Sequence, residues 1–347
     1  MALSGLWAAP DGMVWFGSDQ GMYRGDGNRW DVISGKPVSA LLGSDEAGRA
    51  WVLFENGAAI GYYQDEGWKF FNRQSGWEPL AEPAYLSPGP EDSLLTGGDG
   101  RLWLATGGGE LRRFDPQDGR WTAVTAEAMG LPAADPDYQG YFITSTAKLK
   151  DGSVLAGICA GEGESFKPVG VSRLRDGQWK IMESTGEDCA LDMETSPDGT
   201  VWAGGFNALL ELCPGCDTWK HIPLPAYERE QLIQSVEIDP QGDPWVEVMR
   251  YGGASAYGEV ARYALKGGDW VSVYGPAPYG STALAFGAGS SYLEAGGVLY
   301  RREGGAMQEV ARLERGEGNY RMVVDGSGLL WIARLGDPNG GLWKYLP

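Results

Sequence analysis

Two groups of acids hold the residue types that could move protons. Glu162, Glu164, Glu187 and Asp188 form one group, and Glu228 and Glu230 the other. Paired carboxylates can work as general acid and base on a glycosidic bond or hold Ca²⁺. No D-x-D-x-D-G spacing accompanies them, and with 47 acids in the chain such neighbours arise by chance, so they read as solvated surface. The single histidine, His221, lies in WKHIP on a strand expected at an outer edge. One histidine gives no multi-histidine metal site and weakens Ser-His-Asp and Cys-His readings. No GxxxxGK[ST] or HExxH motif occurs. The sequence therefore assigns no catalytic residue, no metal ligand and no cofactor, and reads as non-enzymatic.

Four cysteines remain. Cys213 and Cys216 form CPGC, without the second CxxC a zinc site needs and without a βαβ context for redox work. A disulfide across a tight turn is expected, with free thiols as the alternative. Cys159 and Cys189 fall at the same end of their repeats and are expected to pair. An even count fits an oxidising compartment.

The net charge of −19 argues against nucleic acid, whose phosphates need basic partners, and against an anionic membrane surface. No apolar run of about 18 residues is present, so no membrane insertion is expected. The opening MALSGLWAAPDG lacks the basic and apolar regions of a signal peptide. A hydrophobic content of 43% supports a sizeable core, and 55 glycines with 15 tryptophans point to many turns around a periodic aromatic interior.

That period is visible. PDGMVWFG (10–17), EAGRAWVL (46–53), GDGRLWLA (98–105), KDGSVLAG (150–157), PDGTVWAG (197–204), PQGDPWVE (240–247), GAGSSYLE (287–294) and GSGLLWIA (326–333) are eight diverged copies of one segment. Their spacing of about 43 residues suits one four-stranded propeller blade. A second tryptophan opens a later strand in most copies, at Trp30, Trp68, Trp121, Trp179, Trp219 and Trp270. Period-two alternation and DG or GG turns indicate strands A to D in each repeat. The expected fold is all-β, a single β-propeller domain over 1–347. It has eight four-stranded blades, or seven plus a split blade as the alternative count. The last blade is incomplete because LWKYLP (342–347) reads as its strand C.

The DGxxW turn, the Gly-rich turn and the short Arg-containing strand, clearest in WFGSDQGMYRGDG (15–27), resemble the two-component-regulator propeller repeat. The resemblance implies an extracytoplasmic ligand-sensing domain or a secreted propeller.

A-to-B turns are short and alike, whereas D-to-A and B-to-C connections carry the insertions, including 73–91, 126–142, 159–168, 223–231, 249–258 and 275–280. Trp77, Tyr138, Tyr141, Glu164, Phe166, Tyr227, Arg250, Tyr251 and Tyr257 are the ligand-binding candidates on that loop-rich face. Rings beside charged groups suit a glycan, a peptide or a small polar ligand. The leading expectation is a non-enzymatic extracytoplasmic binding or sensor propeller. One alternative is a protein-interaction scaffold or subunit of a larger assembly, and another is a propeller lyase or glycoside-active enzyme.

Overall fold

The computed structural model describes residues 1–9, 11–80, 94–106, 110–131, 140–162, 165–182, 189–227, 230–250, 258–278, 282–287, 289–303, 306–313 and 319–346. Each repeat becomes an antiparallel sheet whose strands A to D follow chain order. Blade 6 is representative, with A at Gln231–Ile238, B at Pro244–Arg250, C at Glu259–Lys266 and D at Asp269–Pro278. Seven repeats supply four strands each. Blade 8 supplies three among the described residues, Asn319–Val324, Leu330–Leu335 and Leu342–Tyr345, as its truncated repeat predicts. Its strand B also meets strand A of blade 1 in a parallel bridge between Leu335 and Leu3.

Two compact units result. One comprises Met1–Arg73, Glu78–Pro83 and Gly280–Pro347, and so holds blades 7, 8, 1 and 2; the other comprises Gln74–Trp77 and Ala84–Tyr279, with blades 3 to 6. In both, the core lies between successive sheets, because one sheet alone cannot bury two apolar faces. The strand-B aromatic of one blade packs with the strand-D tryptophan of the next. In the first unit Trp331 meets Trp30 edge-on at 5.7 Å, and Trp15 shares a cluster with Trp68. In the second Trp103 meets Trp179 at 5.5 Å, and Trp202 shares a cluster with Trp270. Leu155, which replaces the tryptophan in blade 4, packs in one cluster with Trp219 of blade 5. The indoles of Trp68 and Trp270 add a tether, donating to the carbonyls of Ile33 and Pro223 in the preceding blade.

The A-to-B turns share one hydrogen-bonded frame. The amide of the first turn residue donates to the carbonyl four residues on, as in Ala9 to Met13, Asp45 to Arg49, Gly97 to Arg101 and Asp239 to Asp243. Aspartate closes this frame in two ways. In blades 2, 6 and 8 it opens the turn: Asp45, Asp239 and Asp325 each accept two turn amides on Oδ1 and the strand-B indole on Oδ2. The indole bonds, from Trp51, Trp245 and Trp331, are 2.7, 3.0 and 2.7 Å. In blades 1, 3 and 5 the aspartate comes two residues later, at Asp11, Asp99 and Asp198, and caps one amide of the turn. Ala9, Gly97 and Ser196 then stand where the indole acceptor would be, and the buried Nε1 atoms of Trp15, Trp103 and Trp202 find no partner among the described residues. The spacing D-x-x-x-x-x-W distinguishes the two classes in the sequence.

The structure corrects part of the loop assignment. Residues 159–168 read as a B-to-C loop because they are rich in Gly and include Pro168. Instead strands Val154–Glu162 and Ser165–Arg175 continue as a hairpin, with a register shift after Ile158 that places Cys159 opposite Pro168. Residues 275–278 likewise continue strand D of blade 6, and strand A of blade 4 begins at Gly140.

Replacing Trp103 by Ala should cost roughly 3–5 kcal/mol, the range of large-to-small core changes, read as a lower denaturant midpoint. Ala9→Asp should stabilise by about 1 kcal/mol by giving the Trp15 indole its acceptor. Gly97→Asp should not, because a Cβ there would lie 2.9 Å from the Trp103 indole nitrogen.

Candidate functional site

Among the described residues five arginines are buried: Arg112, Arg173, Arg250, Arg262 and Arg334. A buried guanidinium is costly unless paired. Four are paired. Arg262 bridges Glu237 and Glu247 at 2.7 and 3.1 Å, and Arg173 bridges Asp151 and Asp217 at 2.8 and 2.6 Å. Arg112 meets Glu110 at 3.0 Å and Arg334 meets Asp337 at 3.1 Å. Burial pushes the Glu247 carboxyl above its ordinary value even with Arg262 beside it. Arg250, only 6% exposed, makes no ion pair among the described residues.

Arg250 ends strand B of blade 6, at the B-to-C end of the sheet. Gln231, the first residue of strand A, lies opposite it on one side, and Glu259, the first of strand C, on the other. The last rung of the sheet thus gathers three polar residues. The Arg250 Nε donates to Gln231 Oε1 at 3.2 Å, and its Nη2 donates to the Tyr263 hydroxyl. Its Cζ lies 4.4 Å from the ring centroid of Tyr227, a half-buried side chain from the segment before strand A. The Tyr227 hydroxyl donates to Glu259 Oε2 at 3.4 Å.

The preceding blade fixes this rung. Asn207, at a φ of 59° that favours Asn or Gly, accepts the Gln231 amide on its side-chain oxygen and donates its own amide to the Gln231 carbonyl. Gln231 Nε2 donates to the Pro225 carbonyl at 3.0 Å. Tyr263 packs edge-on to Trp270 at 6.2 Å. The guanidinium is therefore held by neutral groups in a preset orientation.

The structure brings together Tyr227 and Arg250 of the sequence candidates, and shows others elsewhere. Trp77 is fully buried, edge-on to Trp121 at 5.2 Å with the Arg112 Cζ 5.0 Å from its centroid. It is a packed core ring, where the sequence suggested an exposed one; its chain segment turns inward to cover Trp121. Tyr141 lies in strand A of blade 4, opposite Ala160, and packs on the core containing Ile143 and Ile158. The backbone of Phe166 pairs with Gly161 in a strand. Tyr138, Glu164, Tyr251 and Tyr257 lie outside the described residues. Gln231, Glu259 and Tyr263 escape sequence reasoning, because each resembles an ordinary strand residue until the register aligns it with Arg250.

Both expected disulfides form: Cys159 with Cys189, and Cys213 with Cys216 across the C-to-D turn of blade 5.

A second unexpected group lies in the other unit. Glu294, in strand B of blade 7, is 1% exposed; one carboxyl oxygen accepts the Gly297 amide at 2.7 Å and the other has no partner among the described residues. It stands two residues after the repeat aromatic, where five copies have Gly17, Ala105, Gly157, Gly204 and Ala333, one has Leu53 and one has Glu247, which Arg262 pairs; an acid at this mostly small position was the available signal. Burial lifts its pKa from 4.5 to about 7.

No family model and no curated protein matches the chain. Solved structures do. The Dos1 propeller is 11% identical, with 99% of this chain and 91% of that one covered, at a TM-score of 0.64. YCF48 from Cyanidioschyzon merolae is 16% identical, with 100% and 95% covered, at 0.52. The extracellular domain of the one-component system BT4673 from B. thetaiotaomicron is 16% identical at a TM-score of 0.46. The match covers 99% of this chain, which spans about half (51%) of that domain's length. At these identities the likeness to the Dos1 propeller and to YCF48 establishes the fold alone. It is a β-propeller, the architecture that the repeat implies.

Glu294 generates a pH dependence. Between pH 4.5 and about 7 the unfolded chain has released this proton while the folded chain keeps it, so stability falls as pH rises through that window. The fall should reach roughly 3 kcal/mol. Denaturant midpoints of the wild type and Glu294→Gln, measured from pH 4 to 8, should differ in slope, the variant lacking this component; parallel profiles would remove the assignment.

Proposed function

We propose that the chain, read as one propeller domain over 1–347, is a non-enzymatic binding or sensor module. It takes a glycan, a peptide or a small polar ligand at the B-to-C and D-to-A end of its blades. One observation carries this reading: the last rung of blade 6 gathers Tyr227, Gln231, Arg250 and Glu259 at the end where the repeat departs from itself. At the opposite end the A-to-B turns of blades 1 to 6 and 8 close their own hydrogen bonds. Binding residues belong on variable connections held by a rigid scaffold. An aromatic ring beside a fixed cation and a carboxylate suits a polar ligand with an apolar face. Glu164, Phe166, Tyr251 and Tyr257 are proposed as further contacts, from their positions in the same connections of the sequence. The two disulfides support an extracytoplasmic location.

Tyr227→Ala tests the site. On glycan and peptide arrays the wild type should give a signal that the variant loses by at least tenfold. The ring is half-buried, so stability should stay within about 1 kcal/mol. A variant that binds normally would place the site elsewhere. Concentration-dependent self-association abolished by Tyr227→Ala, without any array signal, would favour the scaffold reading.

A further inference from the structure

We propose that Arg250 is the receptor for a carboxylate group on a small organic ligand, taken at the last rung of blade 6. This rests on the reading that this end of the blades binds ligand, and it names what the ligand must carry.

Arg250 is the exception among the buried arginines. The chain provides Arg112, Arg173, Arg262 and Arg334 with carboxylates at 2.6–3.1 Å, but among the described residues Arg250 has only the neutral oxygens of Gln231 and Tyr263 as acceptors. The seven residues that follow it, YGGASAY, contain no acid. A guanidinium carries five N–H groups. Gln231 takes the Nε hydrogen and Tyr263 one on Nη2, so two on Nη1 and one on Nη2 remain without a protein acceptor among the described residues, enough for one from each nitrogen on the Nη1–Nη2 edge. That edge accepts a carboxylate end-on through two parallel hydrogen bonds. The Tyr227 ring, 4.4 Å from Cζ, restricts the guanidinium. Charge selects the class of anion. A carboxylate brings the single negative charge that Arg250 can neutralise. A phosphate dianion would leave excess charge beside Glu259, the cross-strand neighbour, in a chain of net charge −19.

The rung explains why so costly a group is kept. A partner carboxylate from the chain would stabilise the fold and occupy the edge a ligand needs. Two neutral acceptors orient the cation without quenching it, so its charge is available on binding.

The experiment is calorimetric titration of the full chain at low salt with acetate, succinate, N-acetylglutamate and glucuronate. Glucuronamide, N-acetylglutamine and inorganic phosphate serve as controls. At least one carboxylate should bind tenfold or more tightly than its amide and than phosphate, and Arg250→Met should abolish that preference. Arg250→Met should also leave the thermal midpoint unchanged or raised, since it removes a buried charge with no counter-ion. A purely structural arginine would lower it. If Arg250→Met fails to fold, Arg250→Lys keeps the charge, loses the fork, and should weaken carboxylate binding at least tenfold. No binding by any carboxylate, equal binding of the amides, or carboxylate binding unaffected in the variant would overturn the proposal. Amides that bind equally and are lost in Tyr227→Ala would leave the ligand-binding reading standing. Silence on the arrays as well would remove both.

Discussion

A buried indole needs an acceptor for its N–H, and in blades 2, 6 and 8 of this repeat the need is met within six residues of chain. Asp45, Asp239 and Asp325 each hold the turn with one carboxylate oxygen and the strand-B indole with the other. Two elements are thereby fixed by one side chain. The turn cannot lengthen without losing its amide bonds, and the indole cannot rotate away from the neighbouring sheet. Burial opposes ionisation of Asp239 and Asp325, yet hydrogen bonds to the indoles and turn amides hold both carboxyls below the ordinary aspartate range. Blades 1, 3 and 5 keep the turn but not the indole bond, so the shape of the repeat outlasts the loss of one of its contacts.

The consequence is a division of labour along each blade. At the A-to-B end the turn amides are answered by the chain's own carbonyls and aspartates, and the indoles of Trp15, Trp103 and Trp202 that lack an acceptor are buried. At the other end the sheets continue for different lengths, as in the long hairpin of blade 4, and the connections differ in sequence. There the second unit places Arg250, whose charge no carboxylate among the described residues answers. Arg262, in the same sheet as Arg250, is enclosed by two glutamates and is structural by the same criterion.

Much of the fold is legible in the sequence because it is written eight times. The DGxxW copies, the second tryptophan and the truncated last copy locate the blades and the three-stranded end of blade 8. The strands of blade 3 fall where alternation places them. Binding residues are not periodic, and there the reading is weaker. Trp77 looks like an exposed loop ring because its segment has no period, but the segment folds inward over Trp121. Residues 159–162 and 165–168 look like loop because Gly161 and Pro168 interrupt the strand pattern, yet paired backbone and a register shift carry the hairpin through. Gln231 and Tyr263 become site residues only through cross-strand register, which composition does not encode. Glu294 shows the converse: an acid at a position of mostly small residues is visible in an alignment of the copies, and its burial is not.

The central claim is that one end of the blades maintains the fold and the other binds. Amide hydrogen exchange with and without saturating glucuronate tests it most directly. The account predicts ligand-induced slowing at residues 224–231, 248–250 and 258–260, with the turns at 45–49, 239–243 and 325–329 unchanged. Slowing confined to those turns, with the last rung of blade 6 unaffected, would contradict it.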